Sequence, residues 1–176
     1  MRFAVFLRGV NVGTHNRVKM DALRAALEAA GLACVSTYLQ SGNVIASGED
    51  AGDVARRVAA ALGLLKLDAG AFIRSGDDMR RIVAASPFGE DGSDDSHRFV
   101  TFLAEARTAE LPQRSPKGDW EILIQSKLEV YTVARLVDAR YGAPNGPLES
   151  RLRTPATTRN WAVVRAVAKL LGCDDE

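Results

Sequence analysis

Residues 8–19, Arg-Gly-Val-Asn-Val-Gly-Thr-His-Asn-Arg-Val-Lys, place Arg8, Arg17 and Lys19 around Gly9 and Gly13. An apolar run precedes them and a helical pattern follows. Glycine lets the backbone take positive φ and come close to a ligand. The amides at a helix start, with the helix dipole behind them, favour an anion. Arg8, Asn11, Gly13, Arg17 and Lys19 therefore form a first candidate set for binding an anion. The spacing is neither G-x-x-x-x-G-K-[ST] nor G-x-G-x-x-G. A structural strand-to-helix turn, with Asn and Gly serving only the backbone, is the open alternative.

A second stretch, Thr37-Tyr-Leu-Gln-Ser-Gly-Asn43, offers the uncharged groups of Gln40, Ser41 and Asn43 at a hairpin turn. It is expected at the opposite sheet end from the 9–19 loop. A third, Thr154 to Trp161, has Thr157 or Thr158 as a helix N-cap, with Arg159 and Asn160 in the first turn. An arginine there opposes the helix dipole. It either binds an anion or pairs with an acidic residue elsewhere.

Catalytic signals are sparse. His15 lies in the Gly-rich loop and has the chemistry of a general base, but no nucleophile or orienting carboxylate stands beside it in sequence. With His97 it makes no metal-binding pattern, and no cofactor is implied. The acidic residues of 90–95 read as a solvated run. Phe3, Phe6 and Tyr38 are the aromatics a sheet would offer to single-stranded RNA. Phe3 and Phe6 point to opposite faces, however, and the R-G-F-G-F-V type signature is absent.

These residues must be held by a regular framework. Residues 2–8 are apolar at both parities, as in a strand covered on both faces. Met20, Leu23 and Leu27, with Ala26 and Ala30, give residues 20–30 one apolar helical stripe, and Gly31 falls at the cap. Strands at 33–40 and 44–46 follow, joined by the 41–43 turn. A helix at 51–62 and a strand at 69–74 complete the order β-α-β-β-α-β. The fold class is α+β: a ferredoxin-like N-terminal half, with both helices on one sheet face, packed with a smaller α+β C-terminal half. The other face of the sheet is expected to be covered.

A short helix from Gly76 buries Met79, Ile82 and Val83 and stops at Pro87. The polar run 89–96 then reads as an exposed loop separating subdomains 1–88 and 97–176. In the second, a strand at 97–104 precedes a loop or short helix at 105–118. A hairpin turns at Ser126-Lys127, residues 141–155 are an irregular connection, and a last helix spans 158–171, with Trp161, Val164, Ala168 and Leu171 inward.

Composition bounds the function. With 47% hydrophobic and 26% charged residues the chain is an ordered globular protein. Its net charge of +1 supplies no global field for nucleic acid, which makes nucleic acid a poor partner. Cys34 and Cys173 form no C-x-x-C pair and fit a reducing compartment, with Cys34 read as a small core residue. No apolar run reaches the roughly 20 residues of a membrane span, and Met1-Arg-Phe-Ala starts a strand rather than a signal peptide. The expected location is the cytoplasm, away from membranes.

Leu7-Arg-Gly-Val-Asn-Val-Gly13, Met20-x-x-Leu-Arg24, Thr37-Tyr-Leu-Gln-Ser-Gly-Asn-Val44 and Thr157-Thr-Arg-Asn-Trp161 together resemble the bacterial family of unknown function DUF1697. Typical members read Arg-Gly-Ile-Asn-Val-Gly and Tyr-Ile-Gln-Ser-Gly-Asn, so Val10 and Leu39 are conservative variants. Gly13-Thr14 stands where Gly-Gly is common. The resemblance implies an α+β protein with a ferredoxin-like part; it implies no activity and transfers no catalytic residue.

The leading expectation is a protein that binds a small anionic or phosphorylated ligand through the basic Gly-rich loop. A non-catalytic homodimer joined through its sheet is the alternative, and RNA binding is a third.

Overall fold

The computed structural model describes residues 1–85, 87–88 and 97–172. The polar run 89–96, with its acidic residues, and Cys173 lie outside the described residues. The chain divides into two compact units: Met1–Ala84 together with the chain from Ala166 onward, and Ala85–Arg165. The sequence reading gave all of 97–176 to one subdomain. Both units are α and β with antiparallel sheets.

The first unit runs β1 (Arg2–Arg8), α1 (Met20–Ala29), β2 (Ala33–Tyr38), β3 (Asn43–Ser47), α2 (Ala51–Leu64), β4 (Gly70–Ser75) and α3 (Gly76–Ala84). Its sheet has the order β2-β3-β1-β4, each neighbour antiparallel. Phe3, Val5 and Leu7 point to one face with Val44 and Ala46. They pack against Leu23 and Leu27 of α1 and Val54, Val58 and Leu62 of α2. Ala4, Phe6, Ile45 and Phe72 lie on the other face and are buried as well. This explains the apolar character of residues 2–8 at both parities. It also removes the reason for expecting a partner subunit on that face.

Caps set the helix ends. After α1, Gly31 takes φ +95; its amide donates to Glu28 O (2.9 Å) and the Leu32 amide to Leu27 O (3.1 Å), a Schellman closure. Helix α2 ends the same way through Lys66 at φ +53. It begins at Asp50, whose carboxylate accepts from the Asp53 amide at 2.7 Å. Asp53 in turn accepts from Arg57 Nε at 2.8 Å. Ser75 and Asp78 exchange amide-to-side-chain bonds at 3.0 and 3.1 Å, a capping box starting α3. Met79 and Ile82 are buried there, while Val83 is only half-buried.

Strand β2 is an edge strand with a bulge between Ala33 and Ser36. Cys34 sits in the bulge at φ +51 and is exposed. The core role expected for it is thus corrected: the extra residue turns its side chain outward.

The second unit contains β5 (Arg98–Leu103), β6 (Trp120–Gln125), β7 (Glu129–Ala134), the short β8 (Leu136–Val137) and β9 (Arg140–Tyr141), α4 (Asn145–Leu152), β10 (Ala156–Asn160) and the start of α5 (Trp161–Leu170). Its larger sheet is ordered β10-β5-β7-β6. Leu103, Trp120, Ile122, Val130 and Ala156 pack with Leu148 and Leu152 of α4. Residues 145–152 are therefore helical, not an irregular connection; Leu148 and Leu152, four apart, give that helix its buried stripe. No helix forms at 105–118. The last helix starts at Trp161 rather than 158, because Ala156–Asn160 pair with β5 as a strand.

Candidate functional site

The turn from β1 to α1 is built from left-handed residues: Gly9 at φ +80, Asn11 at +56, Gly13 at +61 and Asn16 at +49. Outside glycine, asparagine is among the residues that best tolerate this region. Both asparagines are tied to the backbone. Asn11 Nδ2 donates to Val18 O at 3.0 Å and to Gln40 O at 2.9 Å, while its Oδ1 accepts from the Val18 amide at 2.9 Å. Asn16 Nδ2 donates to Asp68 O at 2.7 Å, and its Oδ1 accepts from the Asp68 amide at 3.2 Å. Asn11 thus closes the loop on itself and fastens it to the β2–β3 turn.

That turn was expected at the other end of the sheet, and the structure corrects this. β3 is antiparallel to both β1 and β2, so β1 and β2 run the same way. Helix α1 carries the chain back to the start of the sheet, so both strands end on one side. The Leu7 amide donates to Gly42 O at 2.8 Å. A Cβ on Gly42 would lie 2.8 Å from Leu7 Cβ, and its φ is +75. Here glycine is required both by close approach and by conformation.

The junction opens as a cleft of about 510 Å³ lined by Asn11, Arg17, Val18, Lys19, Met20, Asp21 and Gln40. Lys19 is the N-cap of α1 and gives no side-chain capping bond; an ammonium has no acceptor to offer. Arg17 and Lys19 are exposed, and neither has an ion-pair partner among the described residues. Asp21 pairs instead with Arg24 at 2.8 Å. Two large apolar side chains stand out beside the cleft: Val12, 67% exposed, and Leu39, 55% exposed. Leu39 has φ +57, where a residue with a Cβ costs about 1 kcal/mol relative to glycine.

The remaining candidates fall elsewhere. Arg8 is exposed at the end of β1, opposite Gly70, and does not line the cleft. Gly13 is exposed, with nothing near its Cβ position. Arg159 and Asn160 belong to the second unit and to strand β10, not a first helical turn. Arg159 Nη1 donates to Thr157 Oγ1 at 2.8 Å and Thr158 O at 2.9 Å, and burial lowers its pKa to about 10. Asn160 Oδ1 accepts from the Ala162 amide at 3.1 Å and caps α5, the role expected of Thr157 or Thr158. Thr158 is otherwise engaged, with its Oγ1 2.8 Å from Thr101 Oγ1 and donating to Asn145 Oδ1 at 2.9 Å. His15 is exposed, and His97 stacks on Tyr141 with ring centroids 3.5 Å apart.

Sequence reasoning missed the lining roles of Val18, Met20, Asp21 and Gln40. The signal for Gln40 was available in the strand–helix–strand crossover, which requires β1 and β2 to end together. The cleft lining combines the exposed cations Arg17 and Lys19 with the partly buried apolar side chains of Val18 and Met20.

The fold and site define a two-unit α+β protein with an open basic cleft. Residues 1–123 match the family described as "Protein of unknown function (DUF1697)", and the chain belongs to that family. No curated protein matches. Among solved structures, the chain is similar to "conserved bacterial protein SP0830 from Streptococcus pneumoniae": 18% identity, 97% of this chain and 98% of that chain covered, TM-score 0.66. At that identity the likeness concerns the fold. Among the described residues no helix is long and apolar enough to cross a membrane.

Proposed function

We propose that the first unit is a ferredoxin-like sandwich of a cytoplasmic protein, and that it binds a small anionic, phosphorylated ligand in the cleft between the β1–α1 and β2–β3 turns. The sheet order β2-β3-β1-β4 with α1 and α2 on one face supports the architecture. One observation carries the binding reading. Arg17 and Lys19, without ion-pair partners among the described residues, flank a cleft at a helix start that has no side-chain cap. Asn11 acts as a brace for the cleft, its amide protons being already donated. Arg8, Gly13, Arg159 and Asn160 are not needed for binding.

The test is a thermal-shift series with inorganic phosphate, sulfate and a nucleoside monophosphate. A ligand at one hundred times its Kd stabilises by about 2.7 kcal/mol, enough to raise Tm by several degrees. Arg17→Ala and Lys19→Ala should abolish the rise, and Arg159→Ala should leave it. A flat response across the series sinks the reading.

A further inference from the structure

We propose that the same junction docks an extended acidic segment of a partner protein, with apolar side chains of that segment seated on Val12 and Leu39 and an acidic one entering the cleft. The inference rests on the anion-binding reading and names a macromolecular ligand for it.

Leu39 carries the argument. It is unfavourable twice over: a bulky residue at φ +57, and a large apolar side chain 55% exposed. Glycine or asparagine would hold this turn with less strain. Strain and exposed apolar surface that coincide point to a contact outside the chain. Val12, 67% exposed, adds a second apolar group. Asn11 donates to Gln40 O, so the chain neighbours Val12 and Leu39 are fixed on one junction.

Charge sets the chemistry of the occupant. Arg17 and Lys19 are exposed at the cleft, and Asp21, which also lines it, is paired with Arg24. An acidic segment complements this surface, whereas a basic one is repelled. The net charge of +1 offers little to a long polyanion. Tyr38, at the end of β2, is half-buried and offers less of its ring for stacking RNA bases than an exposed aromatic would. At about 510 Å³ the cleft is a concave feature with room for a side chain of a docked peptide, which suits a peptide better than a bilayer surface.

The experiment uses the full chain and a labelled library of twelve-residue peptides in which Asp or Glu alternates with Leu, Ile or Phe. Matched controls are peptides with the apolar positions replaced by Ser, single-stranded oligouridine, and vesicles of anionic phospholipid. Fluorescence anisotropy should show saturable binding of acidic-apolar peptides and at least about tenfold weaker binding of the Ser-substituted set. Leu39→Asn keeps the left-handed turn, and Val12→Ser keeps the loop. Both should weaken peptide binding about tenfold while leaving the phosphate-induced Tm rise intact. Arg17→Ala should remove both responses. If no library member binds, if Leu39→Asn binds as well as the native chain, or if oligouridine or vesicles bind more tightly than the peptides, the proposal is overturned. Loss of the phosphate response as well would overturn the anion-binding reading on which it rests.

Discussion

Asn11 spends both amide protons and its carbonyl oxygen on the backbone at Val18 and Gln40. Asn11→Ala leaves the part-buried carbonyl and amide of Val18 short of a partner and frees the exposed Gln40 carbonyl, and alanine is a worse fit at φ +56. A loss of about 1–3 kcal/mol in urea unfolding is expected. Gly42→Ala forces a contact of 2.8 Å onto Leu7 Cβ at φ +75 and should lower the midpoint by a comparable amount, about 1–3 kcal/mol. Asp53 contributes to the pH dependence of stability. The Arg57 hydrogen bond, helped by the Glu49 amide and by the charges of Arg57 and Arg56, holds its pKa below the ordinary aspartate value against the opposing effect of burial. The stability it contributes is present above the unfolded-state pKa, near 4, and is lost as pH falls through and below that value. Asp53→Asn should flatten the acid limb of stability measured by urea unfolding from about pH 6 to pH 2. At this scale the sequence displayed the groups but not their engagements. Asn11 looked like a ligand donor because nothing in residues 8–19 reveals that one of its partners lies at position 40.

At the level of elements, α1 and α2 close with the same backbone motif but different residues, Gly31 and Lys66. Lysine at φ +53 is the poorer choice. Lys66→Gly should raise stability by about 0.5–1 kcal/mol, and the exposed Gly63, with open space at its Cβ position, should yield a similar gain as Gly63→Ala. Differential scanning calorimetry checks both. Helix stripes were readable because period and burial agree, as at Leu23 and Leu27. Helix α4 was hidden by Gly146 and Pro147, which read as breakers, although proline early in a helix removes only an amide that has no helical acceptor. The last helix was expected to start three residues early because Thr157 and Thr158 have good capping chemistry. Strand pairing with β5 claimed them first.

Across the whole chain, the inner strands β1 and β3 of the β2-β3-β1-β4 sheet are buried on both faces within a single copy. Sedimentation equilibrium should accordingly return a mass of one chain, 18.9 kDa, across a wide concentration range. A stable dimer would require another surface. The mixed α+β class was legible from the order of segments alone. The meeting of the two turns was not, because it depends on which strands run in the same direction. The bulge in β2 has a further consequence, for colloidal behaviour. β2 ends its sheet, and an unbroken edge would offer a row of free amides and carbonyls to another molecule. The extra residue at Cys34 interrupts that row and bends the strand. Deleting Cys34 would straighten the edge and should be seen as faster fibre formation in concentrated solution, so a feature that looks like a flaw in the ladder acts as a guard against self-templating.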